Sequence, residues 1–253
     1  MLKRIFILII FVLGVSAASL ADPAIIKEKA NVNEMAAVKS DTTGIKDELA
    51  DESLKQILAD VIKIKKGKIG EIVSKFLKNT SHWVWIIVEG GLPENVNGQT
   101  TLTSDGALTI LDYDKLQTAT NLAVARILIH EMVHAYLTLY FKYDAINAIM
   151  DYPAILNAWA TAKDPDLNKI QHDEMERSFI DEIALALDEY SETVGLNKVD
   201  KSVYTDLAWG GLDFQNNIKL TGNIKQRIQN RLLAEQLNGS FGGEKPVAFS
   251  VPN

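Results

Sequence analysis

The spacing of hydrophobic residues predicts helices and then a buried strand in the first part of the chain. Between residues 44 and 77, apolar residues recur every three or four positions, as they do on one face of a helix. Gly67 and Gly70 are expected to divide this stretch into two helices or to weaken a single long one. Residues 83–88 are β-branched and aromatic, and a pair of glycines follows shortly after them, a pattern typical of a buried strand.

The next segment predicts two short strands followed by a central helix. Residues 98–103 and 107–113 flank a Ser-Asp-Gly turn, which favours a hairpin. Thr118 or Thr120 can cap a helix that runs from residue 122 to about residue 140. This helix is apolar on most of its surface, so we expect it to be buried at the centre of the protein.

The remainder of the chain predicts further helices. The fold class is therefore α+β and mostly helical, with a small sheet packed beside the central helix. A single domain over residues 44–237 accounts for these elements. The expected helices cover residues 142–162 (with Pro153 starting, kinking or breaking part of it), 168–193, 201–209 and 223–237.

The N-terminus has the pattern of a cleaved signal peptide. Positive charges at Lys3 and Arg4 precede an apolar run over residues 5–15, and small residues lead to Ala21. A run of about 11 residues is too short for a membrane span, which needs about 20. We therefore expect residues 1–21 to be removed by cleavage after Ala21, with Ala18 as the second candidate site. The product would be a secreted or periplasmic protein without a stable membrane anchor.

Composition limits the chemistry of the exported chain. The sequence contains no cysteine, so zinc could be held by histidines and carboxylates but not by thiolates. The net charge of −7, with no basic stripe beyond Lys63 to Lys68, argues against nucleic acid as a partner. Residues 22–43 are polar and predict a flexible leader, and residues 238–253 are rich in Gly, Ser and Pro and predict a disordered tail.

The strongest chemical signal is His130-Glu131-Met132-Val133-His134 within the central helix. Two histidines four residues apart lie one above the other on the same helix face, so both rings can reach one zinc ion. Glu131 lies one step round the helix, where its carboxylate can accept a proton from a water molecule without acting as a ligand.

A catalytic zinc site usually has a third protein ligand. His172 begins a helix that has one acidic and one apolar face, and it is one candidate. His82 precedes the predicted strand and is more typical of a packing histidine. Carboxylates also compete as third ligand, and the residues alone leave them open: Glu174, Glu176, Asp181 and Glu182.

Residues 126–136, which contain this motif, resemble the SprT-like and related zincin metallopeptidases. Residues 171–175 and 183–190 are similar to uncharacterised zincin-like proteins common in Bacteroidetes, in which a second helix returns a histidine to the first pair. The resemblance covers about residues 100–212 and implies Zn²⁺ held by His130, His134 and His172. Residues 208–212 look like a recurring segment of that group, without an assignable chemical role.

The resemblance is incomplete, because the longer metzincin motif is absent and a cysteine zinc ribbon is impossible here. The expected function is that of an exported zinc metallopeptidase that cleaves a peptide or protein substrate, with Glu131 as general base. The resemblance also implies that the strand at residues 107–111 lies beside the cleft and pairs with an extended substrate. A second electrophile would assist this reaction, and the sequence offers four candidate tyrosines without choosing among them: Tyr136, Tyr140, Tyr190 and Tyr204.

Two other interpretations fit the sequence. One is a non-catalytic, exported zinc-binding or structural module, in which Glu174 or His82 completes a closed site with four protein ligands. The other is a helical interaction protein that binds no metal.

Overall fold

The structure is a computed structural model that describes residues 44–78 and 82–248. It confirms the α+β class, with many helices packed around one small mixed sheet. The predicted signal peptide, its cleavage site and the leader up to residue 43 lie outside the described residues.

The sheet has four strands in the order β1-β2-β4-β3. Strands β1, β2 and β4 are parallel, and β3 is antiparallel to β4. The bounds agree with the predicted strands within two residues for β2, β3 and β4. They are β1 (Ile45–Glu48), β2 (Trp85–Glu89), β3 (Gly98–Leu102) and β4 (Ala107–Leu111).

Strand β1 corrects the prediction of helix from residue 44 onward. Ile45 and Leu49 are four apart, which fits a helix, but Ile45 pairs with Trp85 in the parallel ladder. The backbone of Gly44 also bonds Phe76 and Trp85. The local spacing of two apolar residues is ambiguous, and a partner strand far along the chain decides the outcome.

The prediction that residues 107–111 pair with a substrate is wrong. β4 lies inside the sheet, and its two neighbours β2 and β3 already occupy its hydrogen-bonding groups. β3 is the strand at that edge of the sheet. A pattern of apolar residues shows that a strand is buried on its faces, but it does not give the order of strands in the sheet.

The described residues form ten helices. They are α1 (Glu52–Val61), α2 (Gly67–Leu77), α3 (Tyr113–Leu116), α4 (Asn121–Tyr143), α5 (Ala145–Asp151), α6 (Pro153–Thr161), α7 (Leu167–Ser178), α8 (Ile180–Thr193), α9 (Lys201–Ala208) and α10 (Gly222–Gln236).

Local residues explain where several of these helices begin and end. Pro153 is the first residue of α6, a position that needs no backbone donor. The single helix predicted over residues 168–193 is instead divided at Phe179, which is fully buried and stacks on Tyr152. Burying this ring, rather than any helix-breaking residue, accompanies the change of direction between α7 and α8.

Helix α4 is the centre of the protein, as predicted. Thr120 caps it by accepting a hydrogen bond from the backbone N–H of Ala123 at 3.2 Å. Strands β3 and β4 pack against α4, and so do helices α1 and α8. By length and composition α4 could cross a membrane, but 89% of its apolar window is buried inside the protein, as expected of a core helix.

Residues 238–248, which composition predicts to be part of a disordered tail, make specific contacts with α10 in the structure. The backbone N–H of Val247 donates to the buried carboxylate of Glu235 at 2.8 Å, and Arg231 bonds the carbonyl of Lys245. Composition alone missed this because the partners are charged residues buried on α10, outside the segment itself.

Candidate metal centre

Three histidines from two helices meet at one point. His130 and His134 lie one turn apart on α4, and α7 brings His172 against them. The three Nε2 atoms are separated by 3.2 Å (His130 to His134), 3.0 Å (His134 to His172) and 3.3 Å (His130 to His172). The structure therefore confirms that these histidines come together and could hold a metal ion.

The spacing of the nitrogens fits coordination better than hydrogen bonding. A tetrahedral ion with metal–nitrogen bonds of about 2.0–2.1 Å separates its ligand atoms by about 3.3 Å, close to each side of the observed triangle. A neutral imidazole carries one N–H, and three ring nitrogens directed at one point cannot all be satisfied by one another. Three lone pairs directed at a common centre are the usual arrangement around a metal.

A hydrogen bond fixes which nitrogen of His134 faces the centre. Its Nδ1 lies 2.6 Å from Oε1 of Gln171, and that oxygen can only accept, so Nδ1 carries the proton. The amide of Gln171 is held in turn because its Nε2 donates to Thr138 at 3.1 Å. Nε2 of His134 is thus left as a lone pair, and such support of a ligand histidine is typical of metal sites.

The surroundings keep all three imidazoles neutral at physiological pH. Burial lowers the pKa of His134 to about 4, although its bond to Gln171 opposes the shift. Burial, with a smaller contribution from His134, also lowers the pKa of His172 to about 4. His130 has a pKa well below its ordinary value, chiefly through burial and then through its neighbouring histidines. Neutral imidazoles are the form that binds metals.

Glu131 is buried beside the histidines, and a hydrogen bond from the sheet holds its carboxylate in place. The indole N–H of Trp85 can only donate, and it donates to Thr109 at 2.7 Å. Thr109 then donates to Thr100 at 2.7 Å, and Thr100 donates to Oε2 of Glu131 at 2.7 Å. Because a donor stands at one end and a carboxylate at the other, the direction of the chain of hydrogen bonds is fixed.

The same burial changes the acidity of Glu131. It raises the pKa of the carboxyl group to about 7, while the bond from Thr100 and the charge of Arg126 act in the opposite direction. A carboxylate with a pKa near neutrality can accept a proton and release it again at physiological pH. Sequence reasoning named Glu131 but missed Thr100 and Thr109, whose relation to it depends on the pairing of β3 with β4.

The carboxylates that compete with His172 as third ligand are engaged elsewhere or are not part of the group. Over residues 44–78 and 82–248, the group of potential ligand atoms lying within 4.8 Å of one another consists of the three histidines. Other partners occupy three of the four carboxylates: Glu174 accepts from Ser178 and Arg177, Glu176 from Asn217, and Glu182 from the backbone of Lys68.

The remaining histidine and the candidate tyrosines also lie outside the centre. His82 stacks on Tyr143 at the end of α4, with ring centroids 4.7 Å apart. Tyr136 stacks on Trp83, and Tyr140 donates to Asp151 at 2.7 Å. Tyr190 and Tyr204 are buried in the core on α8 and α9. Their contacts give no support to a tyrosine as the second electrophile.

The segment 208–212, which has no role in the sequence analysis, packs directly on the centre. Gly211 has φ +87°, a value that side chains disfavour, and a Cβ atom there would lie 2.9 Å from Cε1 of His130. A Cβ atom on Gly210 would lie 2.8 Å from the guanidinium of Arg126. Because Gly210 and Gly211 have no side chains, their backbone can cover Arg126 and His130 of α4. This role becomes visible only in the tertiary structure.

Comparison with known proteins adds no further identification, because no family model, curated protein or solved structure matches the chain.

Proposed function

We propose that this protein is an exported zinc-dependent hydrolase that cleaves peptide bonds in a peptide or protein substrate. The observation that carries the proposal is the triangle of Nε2 atoms from His130, His134 and His172 beside the buried carboxylate of Glu131. Nitrogen ligands in a tetrahedral spacing favour zinc among the common metals. The SprT-like and zincin resemblance of residues 126–136 supports the same proposal.

In the proposed reaction, zinc, Glu131 and Thr100 have different roles. A bound zinc ion would act as a Lewis acid and lower the pKa of a water molecule to about 7. Glu131 takes a proton at Oε1, which has no hydrogen-bond partner among the described residues, while Thr100 holds Oε2. The raised pKa lets Glu131 return the proton to the leaving amine.

A peptide fits the free edge of the sheet. β3 pairs with β4 on one side, and no strand of the described chain pairs with its other side, so the backbone there forms an edge of the sheet. An extended peptide can add to such an edge through backbone hydrogen bonds. Thr100 of the same strand bonds Glu131, so a peptide paired with β3 would lie beside the proposed base.

The number of protein ligands favours catalysis over a purely structural metal. Structural zinc sites are closed by four protein ligands, whereas catalytic ones keep one position open. Three histidines form the group within the described parts of the chain, and His82 and Glu174, the candidates for a fourth ligand, have other partners. The non-catalytic module therefore has less support.

The decisive experiment compares Glu131→Gln with the unchanged mature protein. Zinc is measured by mass spectrometry after dialysis, and hydrolysis is measured on a broad peptide library. We expect about one zinc per chain in both proteins and a fall in turnover of about 10²–10⁴-fold in the variant, which is the usual contribution of a general base. Full turnover in Glu131→Gln would contradict the proposal.

Glu235→Gln is a matched control. Glu235 is also a buried glutamate that accepts a hydrogen bond from a threonine, Thr120, at 2.6 Å. It lies on α10 and is not part of the metal group. Its replacement should leave turnover per zinc unchanged. Stoichiometric zinc with no hydrolysis of any peptide by the unchanged protein would instead support the non-catalytic module.

A further inference from the structure

Arg126 is a charged side chain that the proposed mechanism does not use. It lies on α4 one turn before His130, and residues four apart share a helix face. The residue is half-buried, and its Nε is buried without a hydrogen-bond partner. Buried polar groups almost always have partners, so an unpartnered guanidinium nitrogen needs an explanation.

The Nε of Arg231 is also buried without a partner, but Arg231 and the other arginines of the described chain form ion pairs, whereas Arg126 does not. Burial lowers its pKa to about 10, so the guanidinium still carries its charge at physiological pH. Glu131 is the acid that acts on that charge, yet the two do not form an ion pair within 4.0 Å. The arginines that do form ion pairs are Arg177 with Glu174, Arg227 with Asp206, and Arg231 with Glu235 and Glu244.

The backbone of Gly210 and Gly211 places the guanidinium in the wall of the metal centre. The position of a Cβ on Gly210 is 2.8 Å from Cζ and Nε of Arg126, and that on Gly211 is 2.9 Å from the ring of His130. Two adjacent residues thus touch the two side chains, so the guanidinium lies next to the first histidine. A side chain at residue 210 would collide with it.

We propose that Arg126 binds a carboxylate group of the substrate beside the metal centre. A guanidinium presents a planar pair of donors that matches the two oxygens of a carboxylate. One cation with an acidic neighbour suits a singly charged group better than a doubly charged phosphate. The inference rests on the proposed function, and it narrows the substrate to peptides with a carboxylate near the scissile bond.

The carboxylate can belong to the C-terminus of the substrate or to an Asp or Glu side chain. Three peptides of one sequence separate these sources: one with a free C-terminus, one with a C-terminal amide, and one amidated peptide in which a Gln near the scissile bond is replaced by Glu. For the unchanged protein we expect kcat/KM to fall about 10–100-fold when the preferred carboxylate is removed, as for other charged hydrogen bonds. Equal rates on all three peptides would overturn the inference.

Variants of Arg126 test whether this preference passes through the guanidinium. Arg126→Gln should hydrolyse the acid and amide peptides at equal rates, and Arg126→Lys should keep part of the preference because it keeps the charge but not the planar fork. Arg177→Gln, which removes an arginine already paired with Glu174, should keep the full preference. An equal loss on every peptide in Arg126→Gln would show an effect on Glu131 and would contradict the inference.

A binding measurement that needs no hydrolysis separates this inference from the proposed function. In zinc-loaded Glu131→Gln with ¹⁵N-labelled arginine, the Nε–H signal of Arg126 is assigned by its loss in Arg126→Lys and followed by NMR. We expect N-acetylglycine to shift this signal and the amide of N-acetylglycine to leave it in place. A shift without hydrolysis of any peptide would uphold carboxylate binding while the proposed function fails. Hydrolysis without a shift would uphold the proposed function and contradict carboxylate binding by Arg126.

Discussion

The two halves of helix α4 bury polar groups in opposite ways. In the half that includes Arg126, His130 and His134, the ring nitrogens of the histidines face one another. The Nε2 atoms meet at 3.0–3.3 Å, and both the Nδ1 of His130 and the Nε of Arg126 lack a partner. A neutral ring offers one N–H, so the three Nε2 atoms cannot all be satisfied by one another, and nothing within the described chain bonds the Nδ1 of His130 or the Nε of Arg126.

In the other half, single polar groups are surrounded by partners. The ammonium group of Lys75 lies 4.7–5.6 Å from the ring centroids of Trp83, Tyr136 and Tyr140. Tyr140 donates to Asp151. Contacts of a cation with aromatic faces stabilise both partners by roughly 0.5–2 kcal/mol. The aromatic half thus satisfies most of its groups internally, although the nearby hydroxyl of Tyr152 is an exception.

From this comparison we infer that the first half serves a ligand and that the second half serves the fold. An unsatisfied buried polar atom costs about 1–3 kcal/mol, so a cluster of them persists where a bound group offsets the cost. The aromatic half has no such need. Variants in the first half should therefore change metal and substrate binding, and variants in the second half should change stability.

The largest expected effect is the loss of zinc from His172→Ala. Removing one of three ligands leaves two, which do not retain the ion through dialysis, so the content should fall from about one zinc per chain to nearly none. His82→Ala is the matched control, because His82 stacks on Tyr143 away from the centre. Metal analysis of both proteins decides the matter. Retention of zinc without His172 would mean that another group is the third ligand.

The next effect is a loss of stability in Trp83→Ala. Trp83 packs on Phe76, Tyr136 and Tyr140, so its removal should lower the free energy of unfolding by about 3 kcal/mol. Denaturant unfolding is measured with a chelator present, because bound metal itself stabilises the folded state. In a separate sample without chelator, the zinc content of Trp83→Ala should remain about one per chain. A loss of zinc as large as that in His172→Ala would erase the distinction between the two halves.

The smallest effect is a weaker metal affinity in Gln171→Ala. Gln171 fixes the ring of His134, and loss of such support typically costs about 10–100-fold in metal affinity. Competition with a chromogenic chelator measures this change. Gln171→Glu, which keeps an acceptor for Nδ1–H, should recover most of the affinity, and Thr138→Val, which removes the other partner of Gln171, should lose less. Equal affinities in all of these proteins would show that His134 needs no support.

The sequence predicted much of the architecture because several signals are local. The start of α4 follows from the cap at Thr120, and three strands follow from short β-branched runs between turns. The arrangement of His130 and His134 follows from the helical repeat itself. The sequence alone left the third ligand open, and it was the family resemblance that favoured His172, which the tertiary structure brings to the same point.

Interactions between distant segments account for the errors and omissions. β1 depends on its partner β2, the order of the strands makes β3 the edge, and the contacts of residues 238–248 depend on acids and arginines of α10. None of these leaves a periodic signal within its own segment.

The sequence by itself determined the helical repeat that stacks two histidines, the neighbouring glutamate and the absence of thiolate ligands. Only the tertiary structure decided that His172 completes the triangle, that Gln171 orients His134 and that Thr100 holds Glu131. The reason is physical. Spacing along one helix is fixed by its backbone geometry, whereas contacts between helices and strands depend on how the whole core packs.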